Sequence, residues 1–323
     1  MDTAPLPPRL KAGLAGVVLM TAACVAGPWL LPTLPGTDPA RSALLPPGTR
    51  VEVAVLADGR ALVAAGMEQR DGLLVAGGGP TPRVEVPADT VVRRSRHTFW
   101  LGSDRYGRDL LVELLEGGRI SLAVAATALG LAVFLGVGVG LLAGSGSRWL
   151  DAVLMRAVDA LMAFPILFLL ILAVAVFRPS PPLLVAVLGA TSWMGLARLV
   201  RGQVLSLRAR PFVVASVAAG SPWHRIWRLH YLPHLTGPVA QDAALRMGDL
   251  VLAEATLSYL GLGIPPSIPT WGSLVAQGHK VLMDGWWLAT FPGLAITGLV
   301  ICLALVGDGL HQLVREGSVN PAR

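Results

Sequence analysis

The stretch "FVVASVAAGSPWHRIWRLHYLP", Phe212 to Pro233, lies between two long apolar runs, and its reading decides the rest of the chain. It is too polar to span lipid and too patterned to be a slack loop. Pro211 suits the first turn of a helix, where its missing N–H costs nothing. Ala215, Ser216, Ala218 and Ala219 continue a short helix with a thin surface, and Gly220 fits the position just past a helix C-terminus. Ser221 is a favoured N-cap and Pro222 a favoured first residue of a second helix. On that helix Trp223, Ile226, Trp227 and His230 recur at three- and four-residue spacing and so share a face, with Arg225 and Arg228 away from its centre. Pro233 is expected to end it. The pattern predicts two capped helices at a membrane surface. Two readings stay open: an amphipathic helix lying on lipid, or a lever seated in the groove of a cytoplasmic partner.

The flanking runs belong to a polytopic membrane protein. Of 323 residues, 54% are hydrophobic and 14% charged, with mean hydropathy +0.63, where a soluble domain carries about 25% charged residues. The formal net charge of +6 comes almost entirely from arginine, the only lysines being Lys11 and Lys280. Arginines beside apolar runs are read as holding loops on the cytoplasmic side, not as a nucleic-acid surface. Cys24 and Cys302 lie in apolar runs with neither metal-ligand nor disulfide spacing, and are expected to act as small buried hydrophobes.

Six spans are expected: about Ala12–Leu31, Arg119–Ala143, Ala152–Phe177, Leu183–Leu205, Leu235–Gly263 and Trp287–Leu310, each near the length a tilted helix needs to cross lipid. The first, preceded by Arg9 and Lys11, also has the outline of a cleaved signal peptide, and Thr21–Cys24 resembles a lipoprotein cleavage site; an uncleaved helix is preferred because five more spans follow. Gly130, Gly136, Gly138 and Gly140 in the second span are expected to let helices pack closely. No acidic residue occurs between Asp159 and Asp242, whereas Arg198, Arg201, Arg208, Arg210, Arg225 and Arg228 cluster there. That loop is therefore placed in the cytoplasm, and with it both termini. The long first loop has ten arginines against eleven acidic residues from Pro32 to Gly118 and is placed outside.

The expected organisation is a cytoplasmic tail and first helix over 1–32, then a periplasmic insertion with short β-strands over 33–96. An amphipathic segment follows over 97–118, with leucines at helical spacing and Glu113 and Glu116 on the opposite face. A five-helix core covers 119–310, including the surface loop 206–234, and a cytoplasmic tail covers 311–323. In the insertion, alternating Val51, Val53 and Val55 lead into Asp58-Gly59, a dipeptide favoured in type I′ hairpins, and about four strands are expected. The module is either decoration packed on the bundle or a docking surface for an external partner.

The opening stretch resembles the cytoplasmic coupling loop of ATP-binding cassette importer permeases. The family pattern is Glu-Ala-Ala, three residues, Gly, nine residues, Ile, one residue, Leu-Pro. Here it reads Val214-Ala215-Ser216, Gly220, His230 and Leu232-Pro233, so the spacing is kept while Val214, Ser216 and His230 depart from the usual residues. "LGSDRYGRDLL", "ARLVRGQVLSLRAR", "AEATLSYLGLGIPPSIPTWGSL" and "FPGLAITGLVICLALVGDGL" narrow the resemblance to the C-type permease of oligopeptide, dipeptide and nickel importers, over most of residues 97–310. The resemblance implies an all-α permease fold of six transmembrane helices in a bacterial inner membrane. It implies a homologous B-type permease, two cytoplasmic ATPase subunits that bind ATP and Mg, and a periplasmic substrate-binding protein as partners. It also implies that Ala215, Ser216, Ala219, Gly220, Trp223, Arg225, Arg228, Leu232 and Pro233 couple the permease to the ATPases.

The chain itself has no Gly-x-x-x-x-Gly-Lys-Ser/Thr loop, so ATP hydrolysis by that route is not expected of it. No catalytic residues, metal site or cofactor of its own are expected, and its six histidines form no ligand spacing. Acids in or near spans are Asp159, Asp242, Asp249, Glu254 and Asp308, and such residues are functional candidates because exposing them to lipid is costly. Arg246 is expected to pair with Asp249. Glu254, Ser258 and Tyr259 are candidates for the translocation path, Glu254 alternatively for a bond between helices. The rival reading is a proton-coupled carrier using these acids.

Overall fold

Helices make up most of the described chain, interrupted by one β module. The computed structural model describes residues 6–31, 39–78, 81–265 and 268–319. The elements are α1 (Pro8–Leu30), α2 (Pro39–Ser42), β1 (Thr49–Leu56), β2 (Ala61–Ala64), β3 (Gly66–Arg70), β4 (Leu73–Gly78), β5 (Thr81–Pro87) and β6 (Val91–Phe99). Then come α3 (Leu110–Ser145), α4 (Arg148–Met162), α5 (Ile166–Val176), α6 (Pro181–Arg208), α7 (Pro211–Ala218) and α8 (Trp223–Ile226). A π-helical turn (Trp227–Tyr231) leads into α9 (Leu232–Tyr259), followed by α10 (Trp271–His279) and α11 (Trp287–Val319). Among the described residues, four helices are long and apolar enough to cross a membrane: α1, α3, α6 and α11.

Two expected boundaries and one expected face are corrected. The amphipathic segment before the second span is not separate: Asp109 caps a single 36-residue helix, accepting a bond from the Leu111 N–H at 2.9 Å. No proline lies between Leu110 and Arg119, and Gly117 and Gly118 are held by close packing on Thr270 and Trp271, so the helix runs on. Glu113 also turns inward and not to the opposite face; it is buried and meets Arg108 at 3.1 Å, while Arg108 bonds the buried Asp104 at 2.7 Å. The third expected span is two helices, α4 and α5, parted at Ala163–Pro165. Pro165 lacks an N–H, and its ring steers Phe164 away from helical dihedrals.

The β module has six strands in two antiparallel sheets, ordered β2-β1-β6 and β3-β4-β5, where about four strands were expected. Val51 and Val53 are buried, as their alternation predicts. The Asp58-Gly59 turn is not type I′. Only Gly59 has positive φ, and its N–H bonds the Leu56 carbonyl at 3.0 Å. A type I′ turn needs positive φ at both central residues. Asp71 and Gly72 meet that condition (φ 47° and 77°) and join β3 to β4 with Arg70 opposite Leu73.

In the bundle, α3 packs along α6 through small residues. A Cβ added at Gly136 would lie 2.9 Å from Leu196, at Gly140 2.6 Å from Val200, and at Gly144 2.7 Å from Val204. These positions recur every four residues on both helices, so the backbones approach along one seam. Lipid gives no hydrophobic drive between helices, and such close van der Waals contact is what holds them. A Cβ added at Gly130 or Gly138 would meet nothing within 4 Å among the described residues. On α4, Asp151 takes both Nε and Nη2 of Arg201 at 2.5 and 2.7 Å, and Asp159 bonds Arg198. Leu122, Ala125, Leu188, Val251, Trp271 and Leu299 fill the centre, where α3, α6, α9, α10 and α11 converge.

Candidate functional site

Two features stand at opposite ends of the bundle. The first is the elbow between α6 and α9. Its helix α7 starts with Pro211 at the first turn and ends in a Schellman motif. The Ser221 N–H bonds the Ser216 carbonyl at 3.1 Å, the Gly220 N–H bonds that of Val217 at 2.9 Å, and Gly220 has φ 73°. That left-handed conformation is the reason glycine occupies position 220. Pro222 is the N-cap of α8, one residue later than the expected Ser221 cap, and the N–H groups of Arg225 and Ile226 bond its carbonyl.

Pro233 does not end the second helix. The chain stays helical from Trp223 to Tyr259, with Pro233 in the first turn of α9. A proline inside an α-helix clashes with the carbonyl four residues back and donates nothing to it. Here the Leu232 N–H reaches back to Trp227 instead, and the wider π turn makes room for the ring. The extra residue also splits the expected aromatic face. Ile226 is 8% exposed and Tyr231 4%, whereas Trp223 is 65% exposed and packs edge-on to Trp227 at 4.8 Å.

The inner side of the elbow is fixed to the bundle. Val213, Ile226, Tyr231 and Leu235 pack with Leu141, Leu196, Val200 and Val204. Trp227 Nε1 donates to Ser145 Oγ at 3.0 Å, and Arg208 Nη1 donates to the Gly144 carbonyl at 3.0 Å. Arg208 thus satisfies a carbonyl at the C-terminus of α3, where a cation is favoured by roughly 0.3–1 kcal/mol. The outer side is bare. Ala215, Ala219, Gly220, Trp223, Arg225, Arg228, Leu232 and Pro233 are exposed, Ser216 is half-buried, and Val214 is exposed beside them. The structure therefore brings all nine expected coupling residues to one short surface element. The two tethers, Arg208 and Trp227 to Ser145, were not foreseen; an arginine in the last turn of a helix was the available signal for the first.

At the other end, Glu254 is fully buried on α9. Ser121 Oγ donates to its Oε2 and Ser258 Oγ to its Oε1, both at 2.8 Å. Ser121 Oγ in turn accepts from the Trp271 N–H at 3.2 Å, so one carboxylate joins α9, α3 and α10. Helix α10 was not expected. Thr270 and Ser273 cap it reciprocally, with bonds of 3.1 and 3.0 Å, a capping box with Ser in place of the commoner Glu or Gln. Ser258 and Tyr259 line a cavity of about 690 Å³ beside α10; Glu254 does not. The expected Arg246–Asp249 pair is not formed. Arg246 bonds Asp242, four residues back, and its Nη1 donates to the Ser192 carbonyl on α6 at 2.8 Å. An acid four residues before a basic residue is the better-oriented helix pair.

Four long apolar helices, two of them packed along a glycine seam, with an outward-facing elbow at one end, are the architecture of a membrane permease. The chain belongs to the family described as binding-protein-dependent transport system inner membrane component, whose pattern matches residues 136–317. It is a permease subunit of an ATP-binding cassette importer. It is 38% identical over 213 residues to the oligopeptide transport system permease protein OppC of Haemophilus influenzae, covering 66% of this chain and 68% of that protein. It is 39% identical over 218 residues to a putative peptide transport system permease protein of Brucella suis biovar 1, covering 68% and 73%. Its fold is similar to a chain of the MetNI methionine ABC transporter in an inward-facing conformation, with TM-score 0.51, 20% identity, and 64% and 97% of the two chains covered.

Proposed function

We propose that this permease carries peptides, as the names of its relatives indicate for those proteins, and that ATPase subunits drive it through the elbow at 206–234. The observation that carries the coupling reading is the two-sided character of that elbow: an inner face tied to α3 by Arg208 and Trp227 and packed on α6, and an outer face of small, aromatic and basic residues that is exposed. A force applied to α7 reaches α3 and α9 without slack, because Gly220 closes one helix and the π turn joins the other directly to α9.

In this reading α1, α3, α4–α5, α6, α9 and α11 provide six spans, with both termini and the elbow in the cytoplasm and the β module in the periplasm. A homologous B-type permease completes the translocation path, two ATPase subunits supply ATP and Mg chemistry, and a periplasmic binding protein delivers the solute. Ser258 and Tyr259 face the path from its outer end, with Glu254 as the clasp behind them. Val214, where relatives of this type carry glutamate, leaves docking to shape and to Arg225 and Arg228.

Proteoliposomes containing the two permeases, with and without the ATPase subunits, test this directly. Peptide uptake is expected only with the ATPases, internal-face ATP and the binding protein. Uptake driven by a pH gradient without ATPases overturns the reading.

A further inference from the structure

The cavity beside α10 has a chemical character that transport in general does not require. It is enclosed by the segment before α3, the segment before α6, the end of α9, and α10. Its volume of about 690 Å³ falls within the roughly 300–1,000 Å³ of small-molecule sites. Arg105, Arg178 and Lys280 reach it from three different elements, and no acidic side chain lines it. None of these three cations has an ion pair with a described acid. That contrasts with Arg108, Arg198, Arg201 and Arg246, each held by a carboxylate. Like charges gathered without counter-charge raise the local potential for an anion, and low-dielectric walls focus it.

Two further groups narrow the ligand. Gln277 Oε1 is buried at the cavity and has no hydrogen-bond donor among the described residues. A buried acceptor of that kind is stabilised by an incoming N–H. Tyr106 and Tyr259 add aromatic walls, and most of the remaining lining is apolar. A ligand that satisfies all of this carries a carboxylate, an amide N–H close to it, and an apolar substituent.

We propose that this cavity binds the C-terminal residue of the transported peptide, with Arg105, Arg178 and Lys280 receiving the carboxylate and Gln277 accepting the amide N–H. The proposal rests on the reading of this chain as a peptide permease and assigns a recognition role to the permease itself. The cavity stands at the end of α9 opposite the elbow, about 40 Å away along a 28-residue helix. In the orientation proposed above, the carboxylate is met on the outer side before the path opens inward.

The test uses the complete importer in phosphatidylcholine nanodiscs, without the binding protein, and isothermal titration with N-acetyl-trialanine and with its C-terminal amide. Acetylation leaves the carboxylate as the only charge. The free acid is expected to bind at least about tenfold more tightly than the amide, the scale of one lost charge-assisted contact. Arg178→Gln and Arg105→Gln are each expected to weaken the acid about tenfold and leave the amide unchanged. Both side chains are exposed and unpaired, so neither change disturbs the fold. Equal binding of acid and amide, binding of neither, or variants that match the wild type overturns the proposal. So does loss of acid binding when phosphatidylglycerol replaces part of the lipid, which assigns the cations to a lipid phosphate. Uptake measured in parallel with the binding protein separates the two readings. Normal uptake of trialanine with unaltered variant binding sinks the cavity assignment alone; no uptake of any peptide sinks the peptide reading beneath it.

Discussion

Gly220→Trp is expected to leave the protein in the membrane at wild-type abundance while cutting ATP-driven uptake roughly tenfold or more. A Cβ at Gly220 meets nothing within 4 Å, and Gly220 is exposed, so the side chain starts out from open surface and not from packed core. It acts in two other ways. The backbone at φ 73° disfavours any residue with a Cβ, by roughly 1–2 kcal/mol. About 1.4 kcal/mol is already a factor of ten in the population of the Schellman elbow. The indole also projects from the exposed face on which the ATPase is proposed to sit. Gly220→Ala separates the two effects, since it carries the backbone cost without the bulk and is expected to lose less uptake. ATPase activity that continues while uptake stops, in membranes with normal permease content, is the signature of uncoupling. Normal uptake by Gly220→Trp removes the elbow from the drive.

Gly272→Val is expected to abolish the folded protein. A Cβ at Gly272 would lie 2.4 Å from the Ala255 carbonyl oxygen and 2.6 Å from the Ala255 Cα, all backbone atoms of α9. Backbone cannot rotate out of the way as a side-chain tip can, so α10 must lift from α9. Overpacking alone costs about 1–3 kcal/mol. Lifting α10 also strains the bonds that Trp271 makes to Ser121 and to the Leu114 carbonyl, and loosens the shell around Glu254. The yield of monodisperse protein in fluorescence-detected size-exclusion chromatography is expected to fall by roughly tenfold or more. Gly138→Ala is the control. It points into open space in the middle of α3 and is expected to leave the yield unchanged or raise it, alanine being favoured over glycine in a helix by about 0.5–1 kcal/mol.

Composition and periodicity carried the reading of this chain as far as helices, their rough order and the elbow. Hydropathy averages over prolines, which is why one run was expected from Ala152 to Phe177 although Pro165 stands in its middle and parts α4 from α5. The opposite error arose at Pro233. A lone proline reads as a helix end, yet a π turn absorbs it, and nothing local distinguishes the two outcomes before the neighbouring packing of Tyr231 and Leu235 is known. Helix α10 was hidden because Gly261 to Thr270 reads as loop and its nine residues are too few to show a period. Its Thr270–Ser273 box was the signal available. Gly136 and Gly140 were legible as packing glycines, but their partners on α6, and the continuation of the seam to Gly144, required the structure. The charge pairs were hardest. Sequence spacing pointed Arg246 to Asp249 and not to Asp242, and could not show that Asp151 and Asp159 lie across from α6.

The elbow's role in coupling is tested most directly by chemical cross-linking in the assembled importer. Cys24 is buried, and Cys302→Ser removes the other native thiol. In that background Ala219→Cys, exposed just past the end of α7, is treated with a short maleimide–succinimidyl ester cross-linker, whose second end takes a lysine of a neighbouring subunit, and Tyr259→Cys at the opposite end of α9 serves as reference. The expected result is a covalent adduct between the Ala219→Cys permease and an ATPase subunit, changing in yield when ATP is added, and none from Tyr259→Cys. An ATPase adduct from Tyr259→Cys and none from Ala219→Cys contradicts it.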